Sequence, residues 1–179
     1  TIIALLDSGV VPIINENDTV STDEIKFGDN DCLSALVANL VAADLLVILT
    51  DAQGLMTEDP KKGGGELIAE VARIGPEIEA LAKGAGSDRG TGGMVSKLRA
   101  VKMVVFSGES AVIADGRERD ILARIVRGEA VGTFFHPAKE RMDGRKRWIA
   151  YFIKPKGKVV IDDGAVSAIL RKGTSLLPS

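Results

Sequence analysis

The sequence is poor in the residues that build metal centres and disulfide frameworks. Its 179 residues hold one cysteine, Cys32, and one histidine, His136. A single cysteine excludes an intramolecular disulfide and suits a reducing compartment. The same two counts leave a structural zinc site short of ligands, since such a site takes four side chains, mostly Cys and His. A Cys–His nucleophile would have to join Cys32 to the distant His136. Cys32 reads instead as a small buried side chain. His136, between Phe135 and Pro137, reads as a packing or surface residue. No hydrophobic run reaches membrane-spanning length without a charged or polar break, and "TIIALLDSGVVPII" is interrupted by Asp7 and Ser8. The formal net charge of −2 gives no support for a chain coated in nucleic acid, although a local basic patch is compatible with it.

What is present is the composition of an ordinary globular protein, 45 % hydrophobic and 27 % charged, long enough for one sizeable core and a small second unit. The chain enters without methionine, directly on apolar residues, so it is expected to be a segment of a longer protein. Residues 1–6 read as the tail of a helix ended by Asp7-Ser8-Gly9. Residues 10–14, "VVPII", read as a short buried strand with Pro12 near its start. Residues 32–43 carry Leu33, Leu36, Val37, Leu40 and Val41 at helical spacing, and Asp31 is placed to cap that helix. Leu45 to Leu49 reads as a second buried strand. Residues 51–65 form a loop, a helix follows from Pro76, and the glycine-rich residues 84–93 form an irregular loop. Residues 94–105 are amphipathic and helical, "SAVIADG" is a third strand, and a helix over residues 120–127 closes at Gly128.

Contiguous apolar strands alternating with helices imply a mainly parallel sheet covered on both faces, an open αβα sandwich. Such sheets take ligands outside the carboxyl ends of their strands. "INEND", "LTD" and "IADG" all stand at such ends and are expected to meet in one crevice. From Lys139 the character changes. The basic stretch at 139–147 reads as a linker, and residues 148–179 as the start of a small β-rich unit with a short helix from Asp163 onward.

"GTGGMVSK", residues 90–97, is the strongest local signal. A glycine-rich loop opening into a helix exposes backbone amides to an anion, and Lys97 adds a point charge for phosphate. It lacks the GxxxxGK[ST] spacing of the P-loop, and a plain loop with a solvated lysine is the competing reading. "FGDND" offers Asp29, Asn30 and Asp31 either as a substrate or magnesium-water site or as a helix cap. Asn15, Asn17 and Asp18 at a strand end, and Thr50-Asp51 at another, carry the same ambiguity between ligand contact and local turn.

Taken together, "PIINENDTVSTDEIKFGDNDCLSALVANLVAADLLVILTDAQGLMTEDP", "GTGGMVSKLRAVKM", "EAVGTFFHP" and "GRKRWI" resemble the amino acid kinase family, and within it the glutamate 5-kinases, over essentially the whole chain. The resemblance implies transfer of the γ-phosphoryl group of ATP, with Mg2+, to the side-chain carboxylate of L-glutamate, the opening step of proline synthesis in the cytoplasm. It implies Asp18 and Asn30, with Asn15 beside them, as glutamate contacts, and Asp31 as the carboxylate that organises the catalytic lysines. Thr50, Asp51 and the stretch Thr91, Gly92, Gly93, Met94, Val95, Ser96 and Lys97 become nucleotide contacts, with Lys97 stabilising the transferring phosphoryl. It further implies proline as a feedback inhibitor and a homo-oligomer, dimer or tetramer. The kinase domain would cover residues 1–138, without its first strand and second catalytic lysine, and a PUA domain would begin at residues 148–179. The segment alone is therefore expected to be inactive. Aspartate, acetylglutamate, carbamate and uridylate kinases are the nearest alternatives. An RNA-binding module acting through the PUA-like tail is the alternative from another class.

Overall fold

The computed structural model describes residues 1–15, 30–58, 65–84, 93–138, 157 and 160–172. Along the chain run α1 (Ile2–Asp7), α2 (Asn30–Val41), β1 (Leu45–Thr50), β2 (Glu70–Val71), α3 (Pro76–Gly84), α4 (Met94–Val105), β3 (Ser110–Asp115), α5 (Ile121–Val126), β4 (Thr133–Phe135) and α6 (Asp163–Lys172).

The sheet has the order β1-β3-β4-β2. β1 and β3 are parallel, in a register that sets Leu45 beside Ser110 and Thr50 beside Asp115. β2 and β4 are also parallel, but β3 and β4 are antiparallel. The sheet is mainly parallel, as expected, with one antiparallel pairing. That pairing is made by β4, a three-residue strand between Gly132 and His136 that is too short to show a period-2 pattern. Gly132, at φ +70°, lets the chain press against β3; a Cβ there would collide with the carbonyl oxygen of Ile113.

Side chains alternate across β1 and β3 and feed two cores. Leu46, Ile48, Ala111 and Ile113 join Phe135, Leu55 and the inner faces of α2, α3 and α4. Val112 and Ala114 join Ile121 and Ile125 of α5, with Leu45 and Val47 partly buried beside them. Helices therefore cover both faces, which explains strands that read as continuous apolar runs rather than as alternating ones. Each fully buried Leu, Ile or Val in such a core is worth about 1.5–3 kcal/mol of transfer free energy.

One expectation fails. Residues 10–15 form no strand; Val11 and Ile13 are 84 % and 98 % exposed. A strand exists only through a neighbour's backbone, and among the described residues β1 pairs with β3 alone. Apolar β-branched composition without a paired edge does not make a strand. In α2 the buried positions are Cys32, Ala35 and Ala38, while Leu40 is exposed. The helix is set closely against α4, whose Ala100 is fully buried, and a close approach selects the small residues over the leucines. The helix expected from residue 163 is present as α6. The linker at 139–147 and nearly all of 148–159 lie outside the described residues, and with them the strands expected there.

Candidate active site

α2 is joined to β1 by residues 42–44, and α4 to β3 by residues 106–109. Connections this short make each helix run back antiparallel to its strand. The amino-terminal turns of α2 and α4 therefore stand at the same rim as the carboxyl ends of β1 and β3. Gly108, at φ +92°, closes α4 with its amide on the carbonyl of Val105.

At this rim Asp31 and Lys97, 66 residues apart, meet. Lys97 Nζ donates to Asp31 Oδ2 at 3.0 Å, and Ser96 Oγ donates to the same oxygen at 3.2 Å. The two charged side chains are only 13 % and 16 % exposed. Asp31 lies inside the first turn of α2, which starts at Asn30, so it is not the cap residue. Its carboxylate spans to α4, and the capping expectation gives way to a charge pair between helices. A carboxylate in the first turn of α2 is favoured by that helix's dipole, whereas a lysine in the opening turns of α4 is not. Asp31 offsets the second at the site of the first. Gly93, extended at ψ −177°, precedes Met94 and has no side chain to cap the first amides of α4. Met94 is half-buried against the core and Val95 is exposed.

The strand ends supply the rest of the rim. Thr50 Oγ1 donates to Asp51 Oδ1 at 3.2 Å, and the Gly116 amide donates to the Thr50 carbonyl at 2.8 Å. Arg117 ties the two strand ends together. Its Nε donates to Asp115 Oδ1 at 2.9 Å and its Nη2 to Asp115 Oδ2 at 2.7 Å, while Nη2 also donates to the Asp51 carbonyl at 2.5 Å. The hydrogen bonds from the Arg117 side chain and backbone hold the Asp115 carboxyl down at about 2.

Of the residues singled out in the sequence, the structure brings together Asp31, Ser96 and Lys97, and sets Thr50 and Asp51 beside the end of β3. Asn30 is exposed at the head of α2, and Asn15 is exposed at the end of the amino-terminal segment. Asp18, Thr91 and Gly92 lie outside the described residues, so the expected meeting of three strand ends is seen for two. The sequence reading passed over Arg117; its signal was the DGR turn immediately after an apolar strand. Cys32 is buried as expected, and His136 is exposed, its Nε2 3.0 Å from Glu70 Oε2. Among the described residues no three His, Cys, Asp or Glu side chains converge as a metal cage. No helix among them is long and apolar enough to cross a membrane.

A mainly parallel layer with a paired lysine at a helix head and a carboxylate-rich strand end on one rim defines the open α/β class, which takes its ligands outside the strand ends. Within that class the sequence profile of the amino acid kinase family matches residues 1–115. The chain belongs to the amino acid kinase family. It is 56 % identical to the glutamate 5-kinases of Burkholderia thailandensis and Paraburkholderia phymatum, over 99 % of its own length and 48 % of theirs. It thus spans about half the length of the curated relatives it matches. The solved UMP kinase of Bacillus anthracis shares the fold at a TM-score of 0.51 and 18 % identity, over 75 % of this chain and 49 % of that one.

Proposed function

We propose that this chain supplies the carboxyl-terminal part of the kinase domain of an ATP-dependent glutamate 5-kinase. The supporting observation is the Asp31–Lys97 pair at the head of α4, directly after the glycine-rich "GTGG". The acceptor carboxylate is already an anion at neutral pH, so transfer needs no strong base. It needs two anionic groups held together and the charge on the transferring oxygens compensated. Lys97, paired with the Asp31 carboxylate that also accepts from Ser96 Oγ, supplies a positioned cation. The amides that open α4 supply dipoles directed at the same rim. Thr50 and Asp51 would meet the nucleotide, and Asn30, Asn15 and Asp18 the amine and carboxylate of glutamate. Magnesium would arrive with the ATP phosphates, whose charge it shares.

The identity to glutamate 5-kinases along nearly the whole chain favours glutamate over the acceptors of the other family members. The same reading gives a cytoplasmic homo-oligomer inhibited by proline, a kinase domain to residue 138, and a PUA-like unit beginning near residue 148. The test is ATP consumption by the full-length protein with glutamate, aspartate, N-acetylglutamate, carbamate and UMP offered separately. Turnover with glutamate alone is expected. Turnover with another acceptor and none with glutamate would reject the assignment. Residues 1–179 by themselves should be inactive; glutamate turnover by this segment would show that the lysine expected upstream is dispensable.

A further inference from the structure

Arg117 does not touch the Asp31–Lys97 pair, yet it is the most heavily bonded side chain at the strand ends. Its guanidinium grips both carboxylate oxygens of Asp115 and reaches across to the carbonyl oxygen of Asp51. Asp115 is largely buried and is held in turn by the Arg117 backbone amide at 2.9 Å, so the grip has a fixed base. Arg117 itself is 71 % exposed and carries its charge into solvent at the rim.

The segment it grips is a loop held at two ends. After β1 the chain leaves the sheet at Asp51 and returns to the core at Leu55, which is fully buried and donates its amide to Thr133 Oγ1 at 2.8 Å. Between these points Asp51 and Gln53 are exposed. Thr133 anchors the far end and Arg117 the near one. Without the near anchor, the Asp51 carbonyl would lose its charge-assisted partner and the peptide plane after it would be free to turn.

We propose that Arg117 is a positioning residue that clasps the Thr50–Asp51 loop in the conformation that receives the nucleotide. This rests on the reading of Thr50 and Asp51 as nucleotide contacts. The clasp needs a fork: one group must satisfy a carboxylate and a carbonyl on separate strands at once. Lysine carries the charge but cannot present that planar pair of donors.

The experiment is calorimetric titration of the full-length protein with a non-hydrolysable ATP analogue, without glutamate, alongside steady-state turnover. Arg117→Ala should weaken analogue binding roughly tenfold, the scale of one lost charge-assisted hydrogen bond. It should raise the KM for ATP by a similar factor while the KM for glutamate stays within about twofold. Arg117→Lys should stay closer to Ala than to wild type. Asp115→Asn, which keeps the turn but loosens the grip, should move the same way by less. Arg119→Ala, which removes an equal charge two residues away and leaves the clasp intact, should bind like wild type. Wild-type affinity in Arg117→Ala, full rescue by lysine, or equal weakening in Arg119→Ala would each overturn the clasp. A wild type that binds no nucleotide would overturn both the clasp and the proposed function. Analogue binding that follows this pattern, in a protein that does not phosphorylate glutamate, would leave the clasp standing and reject only the acceptor.

Discussion

Helix α4 carries two ion-paired lysines, and they live under opposite conditions. Lys97 stands near the helix's amino end, where the backbone dipole repels a cation, and it is nearly buried with Asp31. Lys102 stands in the last turn, where the dipole welcomes a cation, and it pairs with Glu79 of α3 at 29 % and 40 % exposure. The Lys102 hydrogen bond and charge hold Glu79 below the usual carboxylate range. The tail pair satisfies ordinary helix electrostatics. The head pair opposes them, and local rules are broken mostly where function requires it. On the proposed function, a lysine kept at the wrong end of a helix, with a carboxylate from another helix to hold it, is the cation that meets the phosphate.

Substitutions can break that contrast. The largest effect is expected for Lys97→Ala in the full-length enzyme: turnover should fall by roughly 100-fold or more, with the KM for glutamate within about threefold. Single-turnover kinetics checks it, and a loss confined to KM would remove Lys97 from the chemistry. Asp31→Asn should lower turnover by roughly tenfold, because asparagine loses the charge that holds Lys97. Asparagine caps a helix almost as well as aspartate, so unchanged turnover would return Asp31 to a local role.

Ala35→Leu sharpens the contrast without touching a charge. The fully buried Ala35 lies in the seam between α2 and α4, and overpacking there should cost about 1–3 kcal/mol in denaturant unfolding while lowering turnover by parting Asp31 from Lys97. If stability falls and turnover does not, the pair tolerates helix displacement. The smallest effect belongs to the tail. Lys102→Met should move the unfolding midpoint by no more than about 2 °C at neutral pH and leave turnover intact. Glu79 has a folded-state value below its unfolded one, so what the pair contributes is present above the unfolded carboxylate range and is lost as pH falls through the folded value. The midpoints of Lys102→Met and wild type should therefore converge in acid.

The strands and helices of the central layer were legible because hydrophobic period and terminal residues agreed there. Leu45–Thr50, Ser110–Asp115 and the α4 helix all carry long, unambiguous patterns. The failures have physical causes. "VVPII" has strand composition, but pairing decides strands, and composition carries no information about a partner. The leucines of α2 gave the stronger periodic signal, yet close approach to α4 selected Cys32, Ala35 and Ala38. β4 was hidden by its brevity. In the candidate site, Lys97 announced itself by its place one turn into a helix that follows glycines. The partner of Lys97 could not be read from Asp31 alone, since a carboxylate at a helix start serves equally well as a cap. Arg117 escaped because its meaning lies in a bond to another strand's carbonyl.

The 66-position separation of Asp31 and Lys97 also bears on when the pair can form. Neither α2 nor α4 holds the pair by itself, and closing so long a loop costs entropy that only a docked helix interface repays. A nascent or partly folded chain has a glycine loop and a lysine but nothing to hold that lysine in place. The positioned cation that the proposed function relies on therefore forms only together with tertiary structure.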